Sequence, residues 1–160
     1  MHIHCTQVDY RNASQCEQLI TLLNHYAKDP MGGGKPLSKQ VQQNLPSALA
    51  ALPNASSFIL YVDDTPAGLA NCFTNFSTFS CRSILNIHDF VIHQAFRNKG
   101  LSQKLMDKIT EYATEQGCIK LTLEVLKGNE TAYQAYLKFG FTLYQLDPKY
   151  GSAQFMEKYL

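Results

Sequence analysis

The stretch from Ile84 to Lys104 constrains the chain most. Ile84, Leu85, Ile87, Phe90, Val91 and Ile92 form a β-rich run about as long as a buried strand; the sequence turns polar at His93 and Gln94, and a helical apolar period starts after Gly100. Strand, tight turn and helix in that order make a layout suited to phosphate. The first backbone N–H groups of a helix have no intrahelical partner, and the helix dipole adds partial positive charge there. Arg97, Lys99 and Lys104 would add full charges.

Downstream, Leu101, Leu105, Ile109, Tyr112 and Ala113 mark one face of a long helix ending at Gly117, and Cys118 to Val125 reads as a strand. That is a βαβ unit, so its two strands are expected to be parallel. Upstream, Ile3 to Val8 reads as an edge strand. Ser14 and Glu17 form a capping box before Leu19, Ile20, Leu23, Tyr26 and Ala27 at helical spacing. A second helix is expected from Ser38 to Leu52 with Val41, Leu45, Leu49 and Leu52 on one face, and with Pro46 kinking it or starting a new segment. Phe58 to Val62 and Ala67 to Phe73 are expected to be antiparallel strands joined by Asp63-Asp64-Thr65-Pro66. The aromatic positions Phe73, Phe76 and Phe79 are expected in the core, with presentation to a substrate at strand ends beside a cleft as the alternative.

The remaining glycine run, Gly32-Gly33-Gly34-Lys35, is not a P-loop. Asp29 stands where that motif needs Gly, Pro36 where it needs Ser or Thr, and no buried strand precedes it. It reads either as a mobile surface connection or as a flexible lip over a substrate cleft. With 160 residues, a formal charge of +1 and no basic cluster, the chain is expected to be one domain, 1–160, with no nucleic acid and no membrane among its partners. Five scattered cysteines without a C-x-x-C pair suggest neither a disulfide framework nor a metal site, and a cytoplasmic location is expected.

Arg97-Asn98-Lys99-Gly100-Leu101-Ser102, following its apolar strand, resembles the acetyl-CoA motif of the GNAT superfamily of N-acetyltransferases, Arg/Gln-x-x-Gly-x-Gly/Ala. Asn98 stands where Gly is frequent and Ser102 where Gly or Ala is usual; Asn tolerates left-handed backbone and Ser is small, so the geometry survives. Asn129-x-x-Ala132-x-x-x-Tyr136-x-x-x-Gly140-Phe141 resembles the other hallmark of that superfamily and follows at a suitable distance. The resemblance implies an α/β (α+β) fold, with a mixed central sheet of about six to seven strands flanked by about four helices. It also implies acetyl-CoA as co-substrate, without a metal.

Residue roles implied by the resemblance follow one at a time. The backbone of Phe90, Val91 and Ile92 would pair with the pantetheine arm. The turn Arg97, Asn98, Lys99, Gly100, Leu101 and Ser102 would take the pyrophosphate, Asn129 would bond the pantetheine end or an ordered water, and Ala132 would join the cofactor contacts. Tyr136 would protonate the departing thiolate, with Tyr133 as its competitor. The amine must also lose a proton before it can attack. Aligned on Asp89-Phe90, the sequence resembles the polyamine acetyltransferases of the superfamily, which place a glutamate where His88 stands; histidine titrates near neutrality and can serve as base. Asp89 and Glu124 are the alternatives for that role. Alternation along a strand would send His88 and Asp89 to opposite faces. Tyr26, Asp29, Asp89 and Glu124 are candidates for holding the acceptor.

The expected reaction is direct transfer in a ternary complex to a primary amine, of a small molecule in the first instance. The alternatives are protein N-termini or lysines as acceptors, or a non-catalytic acyl-CoA-binding regulator. A homodimer is left open by the families the chain resembles.

Overall fold

The computed structural model describes residues Met1–Leu160, which form two compact units, Met1–Leu123 and Glu124–Leu160. The first contains β1 (Ile3–Gln7), α1 (Ala13–Lys28), a 3₁₀ turn (Pro30–Gly32), α2 (Lys39–Ala51), β2 (Ala55–Val62), β3 (Thr65–Ser77), β4 (Arg82–Ile92), a second 3₁₀ turn (Gln94–Phe96), α3 (Leu101–Glu115) and β5 (Leu121–Leu123). The second contains α4 (Glu130–Lys138) and a 3₁₀ turn at Pro148–Tyr150.

The sheet runs β1-β2-β3-β4-β5. Its first four strands are antiparallel neighbours, and β5 alone is parallel to its neighbour, β4. The parallel pair needs a crossover, which α3 supplies. The sheet is therefore mixed, as expected, but it has five strands rather than six to seven. Beyond Phe141 the pairing is reduced to a single bridge, Gln145 with Ser152, around a turn that Asp147 caps through the Lys149 N–H at 3.0 Å. β5 is also shorter than the expected Cys118–Val125. The Cys118 N–H bonds back to Ala113 O at 2.9 Å and that of Ile119 to Ser83 O at 2.9 Å, so these residues close the end of α3 and enter the sheet obliquely.

Alternation along β2 divides the core into two layers. Ile59 and Tyr61 join Leu69 and Val91 under Leu19, Leu22 and Leu23 of α1 and Leu49 of α2. Phe58 points the other way, edge-on to Tyr112 of α3 at 5.1 Å, and Leu105 and Ile109 of α3 are fully buried. Each such aliphatic side chain contributes about 1.5–3 kcal/mol by leaving water.

Several local expectations are corrected. The cap of α1 is Asn12, whose side-chain oxygen accepts from Gln15 N at 3.1 Å; Ser14 and Glu17 lie inside the helix. Asn is at least as good an N-cap as Ser, and the Asn12 N–H to Asp9 O bond of 2.8 Å turns the chain two residues earlier. α2 passes through Pro46 as one segment, capped by Ser38 on Val41 N, and Val41 and Leu52 are exposed while Leu49 carries the burial. The β2–β3 turn needs only Asp63 and Asp64, at φ 45° and 62°, which is the two-residue geometry that matches strand twist. Phe76, at the end of β3, and Phe79, in the turn after it, are exposed, at 59% and 99%.

Gly68 on β3 is a point of close approach: a Cβ there would lie 2.7 Å from Ile92 Cδ1 and 3.1 Å from Val91 O. Gly68→Val therefore overpacks the β3–β4 contact and should cost about 1–3 kcal/mol. The expected readout is a lower urea midpoint with an unchanged m-value; an unchanged midpoint would show that the contact relaxes freely.

Candidate active site

The ladder between β3 and β4 breaks its register at one place. Asn71 lies opposite Asp89, but Cys72 lies opposite Ile87, so His88 is an extra residue in β4. Such a bulge interrupts the alternation of side chains. His88 Nδ1 lies 3.2 Å from Asp89 Oδ1, and the His88 ring meets the edge of Phe73, which packs on the α1 layer, with centroids 5.8 Å apart. The expectation that His88 and Asp89 face opposite sides is therefore wrong. The bulge puts both on the α1 side, with His88 largely exposed and Asp89 only 18% exposed.

Behind Asp89 stands a line of polar groups that the sequence did not single out. Asn71 Nδ2 donates to Asp89 Oδ2 at 3.0 Å, Ser57 Oγ donates to Asn71 Oδ1 at 2.6 Å, and Tyr10 OH lies 2.8 Å from Ser57 Oγ. Asn71 and Ser57 are buried, at 3% and 1%. The one sequence signal was a pair of polar residues at interior positions of two otherwise apolar strands. Next to them is the Cys72 thiol, which burial, and secondarily the Asp89 charge, push up to about 12.

The C-terminal end of α1 brings two of the acceptor candidates to this side. Tyr26 has its hydroxyl pKa raised, first by burial and then by the charges of Asp89 and Asp29. Asp29 is held below the usual carboxylate range by the Met31 N–H and by Arg97. The segment after it is gathered by several hydrogen bonds. Asp29 caps the 3₁₀ turn through Met31 N, the N–H groups of Gly32 and Gly34 both bond Asp29 O, and Lys35 N bonds Ala27 O. Arg97 ties this segment to the end of β4, with Nη2 3.2 Å from Asp29 Oδ2 and Nε donating to Ile92 O at 3.1 Å. His25 stacks on His93 at 4.1 Å and accepts from Gln94 N at 3.4 Å. Burial, His93 and Arg97 lower its pKa, which keeps it in the neutral form that can accept.

The turn after β4 is longer than a tight turn, because the 3₁₀ turn at Gln94–Phe96 precedes Arg97. Asn98 and Gly100 both have positive φ, 61° and 71°, so Asn98 occupies the left-handed conformation that its side chain tolerates. Gly100 is the N-cap of α3 and supplies no side-chain cap, so the first amides of a 15-residue helix have no capping partner. Leu101 anchors that turn in the core, and Ser102 follows it half-buried. Lys99 folds back, its Nζ donating to Ala95 O at 3.3 Å above the Phe96 ring. Lys104 lines a groove of about 420 Å³ with Ile3, His4 and Cys5 of β1.

β4 pairs with β5 only across Leu85–Ile87, so the part of β4 holding Phe90, Val91 and Ile92 runs on past the end of its parallel neighbour. A strand edge of that kind, leading into uncapped amides, fits an extended amide-bearing arm that ends in phosphate. No group of three or more His, Cys, Asp or Glu is placed to hold a metal ion.

In the second unit, Asn129 is the N-cap of α4, its Oδ1 accepting from Ala132 N at 3.3 Å. Tyr136 packs its ring near Phe141, at 5.9 Å, and Phe139, at 6.4 Å. Tyr133 and Tyr136 are both half-buried, and Glu124 is exposed at the start of the unit, outside the strand expected to contain it.

A model of the Acetyltransferase (GNAT) family matches residues 10–141. The chain is 32% identical over 79 residues to a thialysine N-epsilon-acetyltransferase of Caenorhabditis elegans, covering 49% of each chain. It is 40% identical over 57 residues to an uncharacterized N-acetyltransferase of Bacillus subtilis (strain 168), covering 36% of each. The chain thus spans about a third to a half of the length of these curated relatives. Among solved structures, an aminoglycoside acetyltransferase from an uncultured soil metagenomic sample, in complex with sisomicin, superposes with a TM-score of 0.79 at 15% identity, over 99% of this chain and 97% of that one. AAC(6')-Iy in complex with a bisubstrate analog, CoA-S-monomethyl-acetylneamine, gives 0.75 at 16% identity over the whole of both chains. The family match covers the bulged strand, the left-handed turn, α3 and α4 together, and the chain belongs to the acetyltransferase (GNAT) family.

Proposed function

We propose that residues 1–160 work as one N-acetyltransferase domain that moves an acetyl group from acetyl-CoA to a primary amine of a small molecule. The observation that carries this reading is the continuous strip from β4 past the end of β5, through left-handed Asn98 and Gly100, to the uncapped start of α3. Phe90, Val91 and Ile92 would hold the pantetheine arm by main-chain bonds, and the amides from Asn98 to Ser102 the pyrophosphate. Acetyl-CoA would supply the activated acetyl group as a thioester.

On the acceptor side, the carboxylate of Asp89 and the hydroxyl of Tyr26 provide negative and polar surface suited to a cationic amine, and Asp29 adds charge beside them. The thialysine-directed name of one relative and the aminoglycoside-directed name of one structural neighbour agree with a small amine as acceptor. His88 takes the proton that the amine must lose. Tyr136 gives the departing sulfur its proton, and Asn129 sets the start of the helix that carries it. Transfer is direct: no cysteine falls in either motif, and the Cys72 thiol is buried and held protonated with a pKa of about 12, which makes it a poor nucleophile. All five thiols are free, in keeping with a reducing, cytoplasmic location.

Release of CoA thiol should be measured across polyamines, aminoglycosides, amino acids and peptides. Turnover with a small polyamine or amino acid is expected; binding of acetyl-CoA without turnover of any amine would leave an acyl-CoA-binding protein instead. Gly100→Val places a β-branched residue in left-handed backbone, a conformation costing roughly 1–2 kcal/mol for an L-residue, and should weaken CoA binding by calorimetry with the fold intact. Unchanged affinity would remove that turn from the site. Tyr136→Phe should lower kcat by about 10²–10⁴-fold with little change in acetyl-CoA affinity. Loss of activity in Tyr133→Phe instead would move the acid by one turn of α4. His88→Ala should abolish the acidic limb of the pH–rate profile and be felt least at high pH, where free amine is abundant; an intact limb would exclude His88 as base.

A further inference from the structure

We infer that Arg97 is a positioning residue for the acceptor: anchored on the end of β4, its side chain fixes the Asp29 carboxylate, and through it the acceptor side of the site, instead of meeting the phosphates of the cofactor. The inference rests on the reading of the end of α1 as the acceptor side and adds to it the group that sets its geometry.

Arg97 is held at two points. Nε donates to Ile92 O at 3.1 Å, and Nη2 lies 3.2 Å from Asp29 Oδ2. In a trans peptide the carbonyl and the N–H point in opposite directions. The His93 N–H bonds Ala67 O of β3 at 2.8 Å, so the Ile92 carbonyl of the same peptide is turned away from β3, toward the side on which β5 pairs farther back along the strand. Main chain thus fixes one edge of the guanidinium at the exit of β4, and its planar fork offers the next nitrogen in one direction only. That direction is the Asp29 carboxylate. Turning the side chain onto a phosphate would give up both bonds.

Asp29 is held from both sides. Oδ1 accepts from Met31 N at 3.0 Å and Oδ2 from Arg97, so neither oxygen can swing away without losing a bond, and each keeps a lone pair for a donor on the acceptor. The segment that carries it is seated on α1: Asp29 N bonds Tyr26 O at 3.0 Å, Lys35 N bonds Ala27 O at 3.1 Å, and Gly32 passes so near the Tyr26 carbonyl that a Cβ there would collide with it. Tyr26 and Asp29 therefore belong to one packed piece, and the Arg97–Asp29 ion pair ties that piece to β4. Charge and direction make opposite predictions here. If Asp29 served a cationic acceptor by charge alone, removing Arg97 would leave a less neutralised carboxylate and the amine would bind more tightly; if direction decides, the amine binds more weakly.

The test compares the full chain with Arg97→Met, which keeps the main-chain amide and much of the stem but removes the fork, with Asp29→Asn, which keeps an oxygen for Met31 N, and with the double variant. The acceptor is the amine of the panel above that the parent acetylates fastest, and CoA affinity is read by calorimetry. Each single variant should raise the acceptor KM about 10-fold, the low end for a hydrogen bond to a charged group, with CoA affinity unchanged. The double variant should be no worse than Asp29→Asn alone, because both changes remove the same link. A carbon-13 titration of the Asp29 carboxyl without ligand gives a readout that a packing role would not move. In Arg97→Met its pKa should rise part of the way to the ordinary carboxylate value, since the Met31 N–H, the larger cause of its depression, and His25 remain. Weaker CoA binding with an unchanged acceptor KM would make Arg97 a phosphate ligand and overturn the inference. So would a lower acceptor KM, effects that multiply in the double variant, or an Asp29 titration that stays in place. A parent that turns over no amine overturns the acceptor reading and the inference with it, whereas any of those results in a parent that does turn over its amine overturns the inference alone, so the two failures are told apart.

Discussion

The register shift that sets Asn71 against Asp89 and Cys72 against Ile87 controls both sides of β4. N-terminal to it, β4 is an ordinary inner strand, paired with β3 on one edge and with Leu121–Leu123 of β5 on the other. C-terminal to it, the β5 pairing has ended, Val91 packs under α1, and the strand delivers the chain to the left-handed residues before α3. One inserted residue turns a strand that belongs to the core into one that has a core side, a stretch beyond its β5 pairing and a polar histidine at their junction. The insertion is tolerated because the α1 layer accepts Asp89 with its own hydrogen-bond partners instead of an unpaired charge.

Charge is used sparingly around this strand. Arg97, which an electrostatic reading would aim at an incoming phosphate, is spent on Asp29 and on the Ile92 carbonyl. It joins the two ends of the site, the segment after α1 and the turn before α3, and the His25–His93 stack makes a second connection between them. In the function proposed above, anion recognition falls mainly to main chain, because an uncapped helix start preceded by two left-handed residues needs no side-chain charge to attract phosphate.

Much of this was legible in the sequence where the signal is local. The parallel βαβ unit around α3 and the antiparallel β2–β3 hairpin depend on periodicity and turn residues, and both are present, with a shorter β5 and a longer turn before α3 than expected. Legibility failed where pairing between distant segments decides. A bulge is a property of two strands at once, so nothing between Ile84 and Ile92 could show that His88 would share a face with Asp89. The Ser57–Asn71–Asp89 line joins three strands and was invisible for the same reason. The glycine run after Asp29 misled in the opposite direction: its composition suggests slack, but the Asp29 carbonyl and carboxylate gather its amides into an ordered turn. Phe76 and Phe79 misled because aromatic content reports a preference for burial, and they lie at the end of β3 and in the turn after it, exposed.

The claim on which the rest stands is that β4 and the turn after it form the acyl-donor side of the site. The most direct measurement is a titration of the nitrogen-15-labelled protein with CoA, followed through its backbone amide resonances. The account predicts saturable shifts of the amides from Asn98 to Ser102 and of Phe90 to Ile92, with those of Ile3 to Gln7 on β1 unmoved. Saturable binding of CoA that leaves the amides of 98–102 in place would contradict it.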